Sequence, residues 1–234
     1  MKKDNLQELQ WESDFFSKKI ATVIDVNALA STSFSNFQLI TNKVSANDYS
    51  SINKLQNAGF LLSEGELVFN KNVCFNKETS IIKGDFEPHI ATLEDIDELV
   101  NIAQLSFTSS RYREPWFNDT QRATFYGLWI KKAVTGEFDD ICLTIKENDN
   151  IQGLVSLKKE KEQLKIGLIA IAKAYRGKGI ASKLLKLVDL YANKYNCKKI
   201  SVATQTSNIN AANLYIKNGY TLFNSNYWLY KINS

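Results

Sequence analysis

Histidine is almost missing from this chain: His89 is the single one in 234 residues. A multi-histidine zinc site is thereby excluded, and a Ser-His-Asp or Cys-His arrangement would depend on this one residue. His89 stands between Pro88 and Ile90, which reads as a strand-edge position rather than a chemical one. Cysteine is scarce too. Cys74, Cys142 and Cys197 are odd in number, far apart and without a C-x-x-C pair, the usage of a reduced intracellular chain. With 2 prolines and 10 glycines, collagen-like and low-complexity classes fall away. Long apolar runs are lacking: the stretch 166–172 is far below the roughly 20 residues that cross a bilayer. The opening MKKDNLQELQ has charge but no apolar core, so no signal peptide and no membrane partner are expected, and the chain reads as soluble and cytoplasmic. Charge of one sign is lacking as well. Lys and Arg number 29 against 25 Asp and Glu, a net +4. That suits a small anionic substrate, but no basic tract is dense enough to follow a nucleic acid.

What is present is an ordinary globular composition, 44% apolar and 23% charged. The length fits one large domain, or one full and one small. The polar, charged stretch 70–85 reads as a linker. It divides the chain into a smaller α/β module over residues 1–80 and a larger α/β module over 86–234. In the first, a strand at 37–41 and a helix to about Asn57, capped by Asn47 or Asp48, precede Gly59. Segments 60–62 and 67–69 flank Ser63-Glu64-Gly65-Glu66, which reads as a hairpin. In the second, a strand at 89–91 leads to a helix at 93–107 capped by Thr92. A loop at 108–119 and a second helix with Phe125, Leu128, Trp129 and Ala133 follow. Strands are expected at 141–146, 153–158, 164–172 and 199–204, and two last ones at 220–223 and 227–232. Ile180, Leu184, Val188, Tyr191 and Tyr195 recur at steps of three or four, the stripe of an amphipathic helix. Asn57-Ala58-Gly59-Phe60 and Lys217-Asn218-Gly219-Tyr220 form a faint internal echo, each a helix end followed by Gly-aromatic and strand.

The strongest chemical signal joins strand 164–172 to that amphipathic helix through Arg176-Gly177-Lys178-Gly179-Ile180-Ala181. Glycines at a helix start let amide N–H groups converge, and the helix dipole adds positive potential, together a phosphate site. The spacing matches neither the GxxxxGK[ST] loop nor the GxGxxG turn. A tight turn with solvated lysines explains the same residues equally well.

Arg176-x-x-Gly179-x-Ala181 after a strand, with Asn208-x-x-Ala211-Ala212-x-Leu214-Tyr215 and Gly219-Tyr220 downstream, resembles the GNAT family of acetyl-CoA-dependent N-acetyltransferases. The resemblance covers residues 86–234 and implies an α/β fold with a mixed sheet, flanked by helices and splayed between two central strands. Acetyl-CoA would be the co-substrate, with no metal. Its pantetheine arm would lie in the gap and its pyrophosphate on the amides of Arg176, Gly177, Lys178, Gly179, Ile180 and Ala181. A backbone N–H from Ile169, Ala170 or Ile171 would hold the oxyanion. Asn208 would bond the pantetheine arm or cap its helix. Tyr215 would be the acid beside the sulfur.

Further segments, from Gln10-Trp11-Glu12 and Gly59–Glu66 to Ser110–Trp116, Phe125–Ile130 and Tyr227–Tyr230, are similar to a branch of the family. That branch acetylates the 4-amino group of dTDP-4-amino-4,6-dideoxyhexoses in surface polysaccharide biosynthesis. The similarity implies a nucleotide-sugar substrate, a site shared with the first module, a homodimer, and Glu64 as base acting through water. Arg111 and Arg113 suit a diphosphate, and Trp116 suits stacking on base or sugar. Alternatives are another small amine, a protein amine, or a non-catalytic acyl-CoA-binding module.

Overall fold

The structure, a computed structural model, describes residues 5–74 and 87–233. In chain order the elements are β1 (Leu6–Glu8), α1 (Gln10–Phe16), β2 (Ile20–Val23), β3 (Leu39–Ser45), α2 (Tyr49–Asn57) and β4 (Leu61–Asn72). Then come β5 (Glu87–Ile90), α3 (Ile96–Ser106), α4 (Asp119–Val134), β6 (Ile141–Glu147), β7 (Asn150–Glu160) and β8 (Gln163–Ile171). The chain ends with α5 (Ile180–Lys194), β9 (Lys199–Gln205), α6 (Ile209–Lys217) and β10 (Thr221–Ile232).

All ten strands form one sheet in the order β1-β2-β3-β10-β4-β9-β8-β7-β6-β5. Pairing is antiparallel except at β2–β3 and β8–β9, so the sheet is mixed. The last strand lies between two strands of the first module, and the sheet is continuous across both sequence modules. Alternate strand residues feed opposite faces. Leu39 and Tyr230 join a core with Phe16 of α1, Leu99 of α3 and Phe125 of α4. Ile40, Val44 and Leu229 turn the other way, onto Leu55 of α2. Further along that second face, Leu184 and Val188 of α5 and Tyr215 of α6 cover Ile166 and Val202. The α5 stripe read from the sequence is thus the buried side of that helix. No helix among the described residues is long and apolar enough to cross a membrane.

Three expectations change. Ser63–Glu66 is no hairpin: β4 runs on through it, with Glu64–Glu66 paired to Trp228–Asn226 of β10, Glu66 also to Gln205 of β9, and Ser63 at a slip in register. The ladder to β10, joined by β9 from Glu66 onward, outweighs the turn-like composition of four residues. The two expected last strands are likewise one, β10, with an irregularity between Leu222 and Asn224. The expected strand at 37–41 is shifted, starting at Leu39. Of the expected linker, residues up to Asn72 belong to β4, and 75–86 lie outside the described residues.

The internal echo is structural. Asp48 caps α2 by accepting from Ser51 N–H, and Asn208 caps α6 by accepting from Ala211 N–H. Gly59 (φ 86°) and Gly219 (φ 83°) then turn each chain in the left-handed region that glycine alone adopts freely. Each leads into a 12-residue strand, and those two strands pair with each other.

One ion pair carries a stability prediction. Asp95 closes a capping box with Thr92 and accepts from Lys146 Nζ at 2.7 Å. Burial pushes its carboxyl up, but the bonds from Lys146 and Thr92 outweigh that and hold it below its ordinary 3.8. A lowered folded-state pKa contributes stability above the unfolded value, lost as pH falls through the folded one. Asp95→Asn is expected to cost about 1 kcal/mol at pH 7. Urea melts should show that gap closing below pH 3.8.

Candidate active site

Strands β8 and β9 begin side by side and then part. Their parallel pairing runs from Gln163↔Lys199 to Ile166↔Val202 and stops. Beyond it β8 stays with β7 as far as Ile171↔Gly153, while β9 stays with β4 as far as Gln205↔Glu66. The sheet therefore opens into a wedge at the C-terminal ends of two parallel strands. On the wedge side, Gly167–Ile171 makes no ladder bonds to β9.

The parting has a local cause. Val155 pairs with Ile169 and Leu157 with Ile166, so Gly167 and Leu168 together oppose Ser156. That is a β-bulge, which bends its strand and raises its twist. Buried Ser156 holds it: its Oγ accepts from Leu168 N–H at 2.8 Å and donates to Asp139 Oδ2 at 2.5 Å. Trp129 Nε1–H donates to the same oxygen at 2.9 Å. Asp139 is 5% exposed. A Cβ on Gly167 would collide with the Asp139 carboxylate, so glycine is required at the bulge. Sequence reading missed Asp139, Ser156 and Trp129 as a group, because no spacing links residues drawn from a helix, a loop and a strand.

At the mouth of the wedge stands the N-terminus of α5. Gly177 (φ 76°) and Gly179 (φ 79°) take left-handed conformations, with open space where a Cβ would lie. Gly179 caps α5 without a side chain, unlike Asn118 on α4 or Asn208 on α6. The first amides of α5 are thus left for an outside acceptor, with the helix dipole behind them. Arg176 is exposed and bonds Ile171 O and Ser106 Oγ, both at 3.2 Å, tying the loop to β8 and α3. Exposed Lys178 lies over the Tyr175 ring. Ile180 is buried as the anchor of the helix. Ala181 follows it, half-buried. Ile169, Ala170 and Ile171 line the β8 wall of the wedge.

The opposite wall is the end of β9 and the turn into α6. Asn208 Oδ1 accepts from Ala211 N–H at 3.1 Å, so its oxygen is spent on the cap. Tyr215 is 2% exposed, its ring between Phe69 and Tyr220. Burial raises its pKa, and among the described residues its hydroxyl makes no hydrogen bond. Glu64 reaches the same turn from β4. Its carboxylate accepts from Gly65 N–H at 2.9 Å, Thr206 Oγ at 3.2 Å and Ser207 Oγ at 3.3 Å. Gly65 is needed there, since a Cβ would fall 2.6 Å from the Thr206 side chain. Strand alternation puts Glu64 on the α3/α4 face of the sheet and Phe69, with Tyr215, on the α5/α6 face. The wedge joins those faces.

The 108–118 loop behaves differently from expectation. Arg113 donates through Nε and Nη2 to Ser63 O at 3.1 and 2.7 Å, holding the irregularity where β4 and β10 slip register. Trp116 is buried, 4% exposed, with its ring edge-to-face with Tyr230 and under Arg113. Both brace the loop against β4 and β10. Arg111 alone of the three turns into a cavity. Its guanidinium stacks on Trp228 at 4.0 Å and donates to the hydroxyls of Tyr230 and Tyr112.

A wedge between two parallel strands, an uncapped helix beside it and this strand order define an acyl-CoA transferase fold. The profile of the Acetyltransferase (GNAT) family matches residues 96–220, over half of the chain. The chain belongs to that family and is an acyl-CoA-dependent N-acetyltransferase. It is 29% identical over 232 residues to the dTDP-fucosamine acetyltransferase of Escherichia coli O6:H1, covering 97% of this chain and 98% of that protein. Among solved structures, a GCN5-related N-acetyltransferase from Sphaerobacter thermophilus superposes with a TM-score of 0.60 at 14% identity, over 83% of this chain and 59% of that one. The PaiA N-acetyltransferase of Thermoplasma acidophilum, solved with coenzyme A, gives 0.51 at 16% identity over 64% of this chain and all of that one.

Proposed function

We propose that this enzyme moves the acetyl group of acetyl-CoA onto the amine of a nucleotide-linked amino-deoxysugar of the dTDP-4-amino-4,6-dideoxyhexose type, by direct attack in a ternary complex. The wedge beside the uncapped α5 is the observation that carries the cofactor. Bare amides, left-handed Gly177 and Gly179 with open space above them, and Arg176 and Lys178 suit a pyrophosphate. The unpaired edge of Ile169–Ile171 suits an amide-bearing pantetheine arm. The substrate class is supported by similarity over nearly the whole length of an enzyme named for a dTDP-amino-sugar, first module included.

Acetyl-CoA supplies a thioester carbon open to attack. Glu64 accepts, through water, the proton that the ammonium form of the substrate loses before attack, and the nitrogen releases its second proton once the C–N bond has formed. An N–H on the open edge of β8 stabilises the oxyanion. As the C–S bond breaks, Tyr215 donates a hydrogen bond to the sulfur. Tyrosine is ordinarily near 10 and a thiol near 8.5, and burial raises Tyr215 further, so complete transfer from Tyr215 is uphill. The second proton, released by the bonded nitrogen as the C–S bond breaks, therefore completes the thiol. Asn208, its oxygen committed to the cap, offers only its amide N–H to the arm. The first module supplies Glu64 and the second Tyr215.

Thiol release from acetyl-CoA should appear only when a dTDP-4-amino-4,6-dideoxyhexose is added; acetyl-CoA binding without turnover would discard the sugar reading and keep the cofactor. Glu64→Gln is expected to lower kcat about 100-fold and change the shape of the pH–rate profile. An unaltered profile would return Glu64 to a bridging role between β4 and the β9–α6 turn. Gly179→Val is expected to raise the acetyl-CoA KM at least tenfold, because φ 79° strains a β-branched residue and its side chain enters the phosphate space.

A further inference from the structure

On the α3/α4 face, Trp228 pairs with Glu64 across one edge of β10 and with Lys43 across the other. The three side chains form a row across the sheet, spaced by strand separations of about 4.8 Å. At the Lys43 end lies a cavity of about 270 Å³ between β2, β3, α1 and the 108–118 loop. Phe16, Tyr112 and Phe117 give it aromatic walls, Trp228 and Arg111 close the side toward Glu64, and Lys43 and Glu12 add charge.

Arg111 makes this cavity more than a packing gap. Its partly buried guanidinium meets no carboxylate at ion-pair distance among the described residues; its bonds go to Tyr112 and Tyr230. Burial raises both tyrosines, against the pull of Arg111, so their hydroxyls stay neutral. A buried cation without counter-charge is costly, and an anion beside it removes that cost. Lys43 differs, being shared with Glu66, which also accepts from Asn226 and Trp228. Glu12 is an acceptor on the cavity wall for an N–H or O–H.

We propose that this cavity receives the nucleoside diphosphate end of the acceptor, with phosphate oxygens on Arg111 and Lys43 and the base among the aromatic walls. The proposal rests on the amino-sugar reading above: an amine at Glu64 places the sugar ring along Trp228, and the group linked to that ring then meets Arg111. Aromatic walls, a lone guanidinium and one carboxylate suit a base, a phosphate and a polar N–H or O–H within one ligand.

The test is binding of dTDP alone to the full-length enzyme, read by quenching of tryptophan fluorescence and by calorimetry. The expected result is saturable binding that does not displace acetyl-CoA. Lys43→Gln and Arg111→Lys should each weaken dTDP about tenfold and leave acetyl-CoA affinity unchanged. Lys43 is exposed at the rim, so its variant tests the cavity even should Arg111→Lys fail to fold. Displacement of acetyl-CoA by dTDP would overturn the assignment, as would dTDP affinity untouched by the substitutions. Turnover of the sugar nucleotide without any dTDP binding would overturn it while sparing the proposed function. Lys43-dependent dTDP binding without turnover of any amino-sugar would support the cavity and sink the proposed substrate.

Discussion

Tyr215→Phe is expected to lower kcat by about 100-fold or more while acetyl-CoA affinity stays nearly unchanged. The substitution deletes one oxygen from a ring already held between Phe69 and Tyr220, so the helix and the wedge keep their packing. What disappears is the hydrogen bond proposed to the departing sulfur, which would matter only as charge develops there. The wild type has a matching signature. Burial holds Tyr215 above its ordinary 10, so its hydroxyl stays protonated through the alkaline range, and kcat should lose no acid group until well above pH 10. Steady-state rates from pH 6 to 10, with calorimetric acetyl-CoA binding, make the comparison. An unchanged kcat in the variant would leave Tyr215 a core residue.

Asp139→Ala is the second large effect. Asp139 Oδ2 is the shared acceptor for Ser156 Oγ and Trp129 Nε1, and Ser156 in turn holds Leu168 N–H at the bulge. Removing the acceptor leaves the buried Ser156 hydroxyl and the partly buried Trp129 N–H unpaired, with a small void, a loss of about 2–4 kcal/mol. It also frees β8 to straighten against β7, narrowing the wedge. The expected outcome is a lower denaturation midpoint together with an acetyl-CoA KM raised at least tenfold. Asp139→Asn keeps one carbonyl oxygen for both donors and should restore most of each. A loss below 1 kcal/mol in the alanine variant would mean that the bulge stands without this support.

Some of the site could be read before any coordinates. The glycine turn at Arg176–Ala181 was legible because the turn and the helix after it are contiguous, and the left-handed glycines and the missing cap are local properties. Asn208 as a helix cap was legible for the same reason. Glu64 was placed in the wrong element: a Ser-Glu-Gly-Glu stretch has the composition of a turn, and its pairing with β10, distant in sequence, makes it a strand. Trp116 and Arg113 were given ligand roles because an arginine-aromatic loop looks the same whether it faces a substrate or braces the chain. The structure seats Trp116 on Tyr230 and bonds Arg113 to the Ser63 carbonyl, contacts that no local pattern shows because neither partner is near in sequence.

The sequence by itself determined the α5 stripe, the glycine turns, the capped helices and the order of elements, since each depends on neighbours within a few residues. It also limited what could be placed: with one histidine in the chain, a histidine cluster cannot form. Tertiary structure alone decided that β10 inserts between β3 and β4, that β8 leaves β9 at a bulge held by Asp139, and that Arg111 faces a cavity in line with Glu64. Those features come from contacts between residues up to 193 positions apart, as with Leu39 and Ile232. Such contacts are chosen by which surfaces bury together and which hydrogen bonds close, and no local pattern in the chain records that choice.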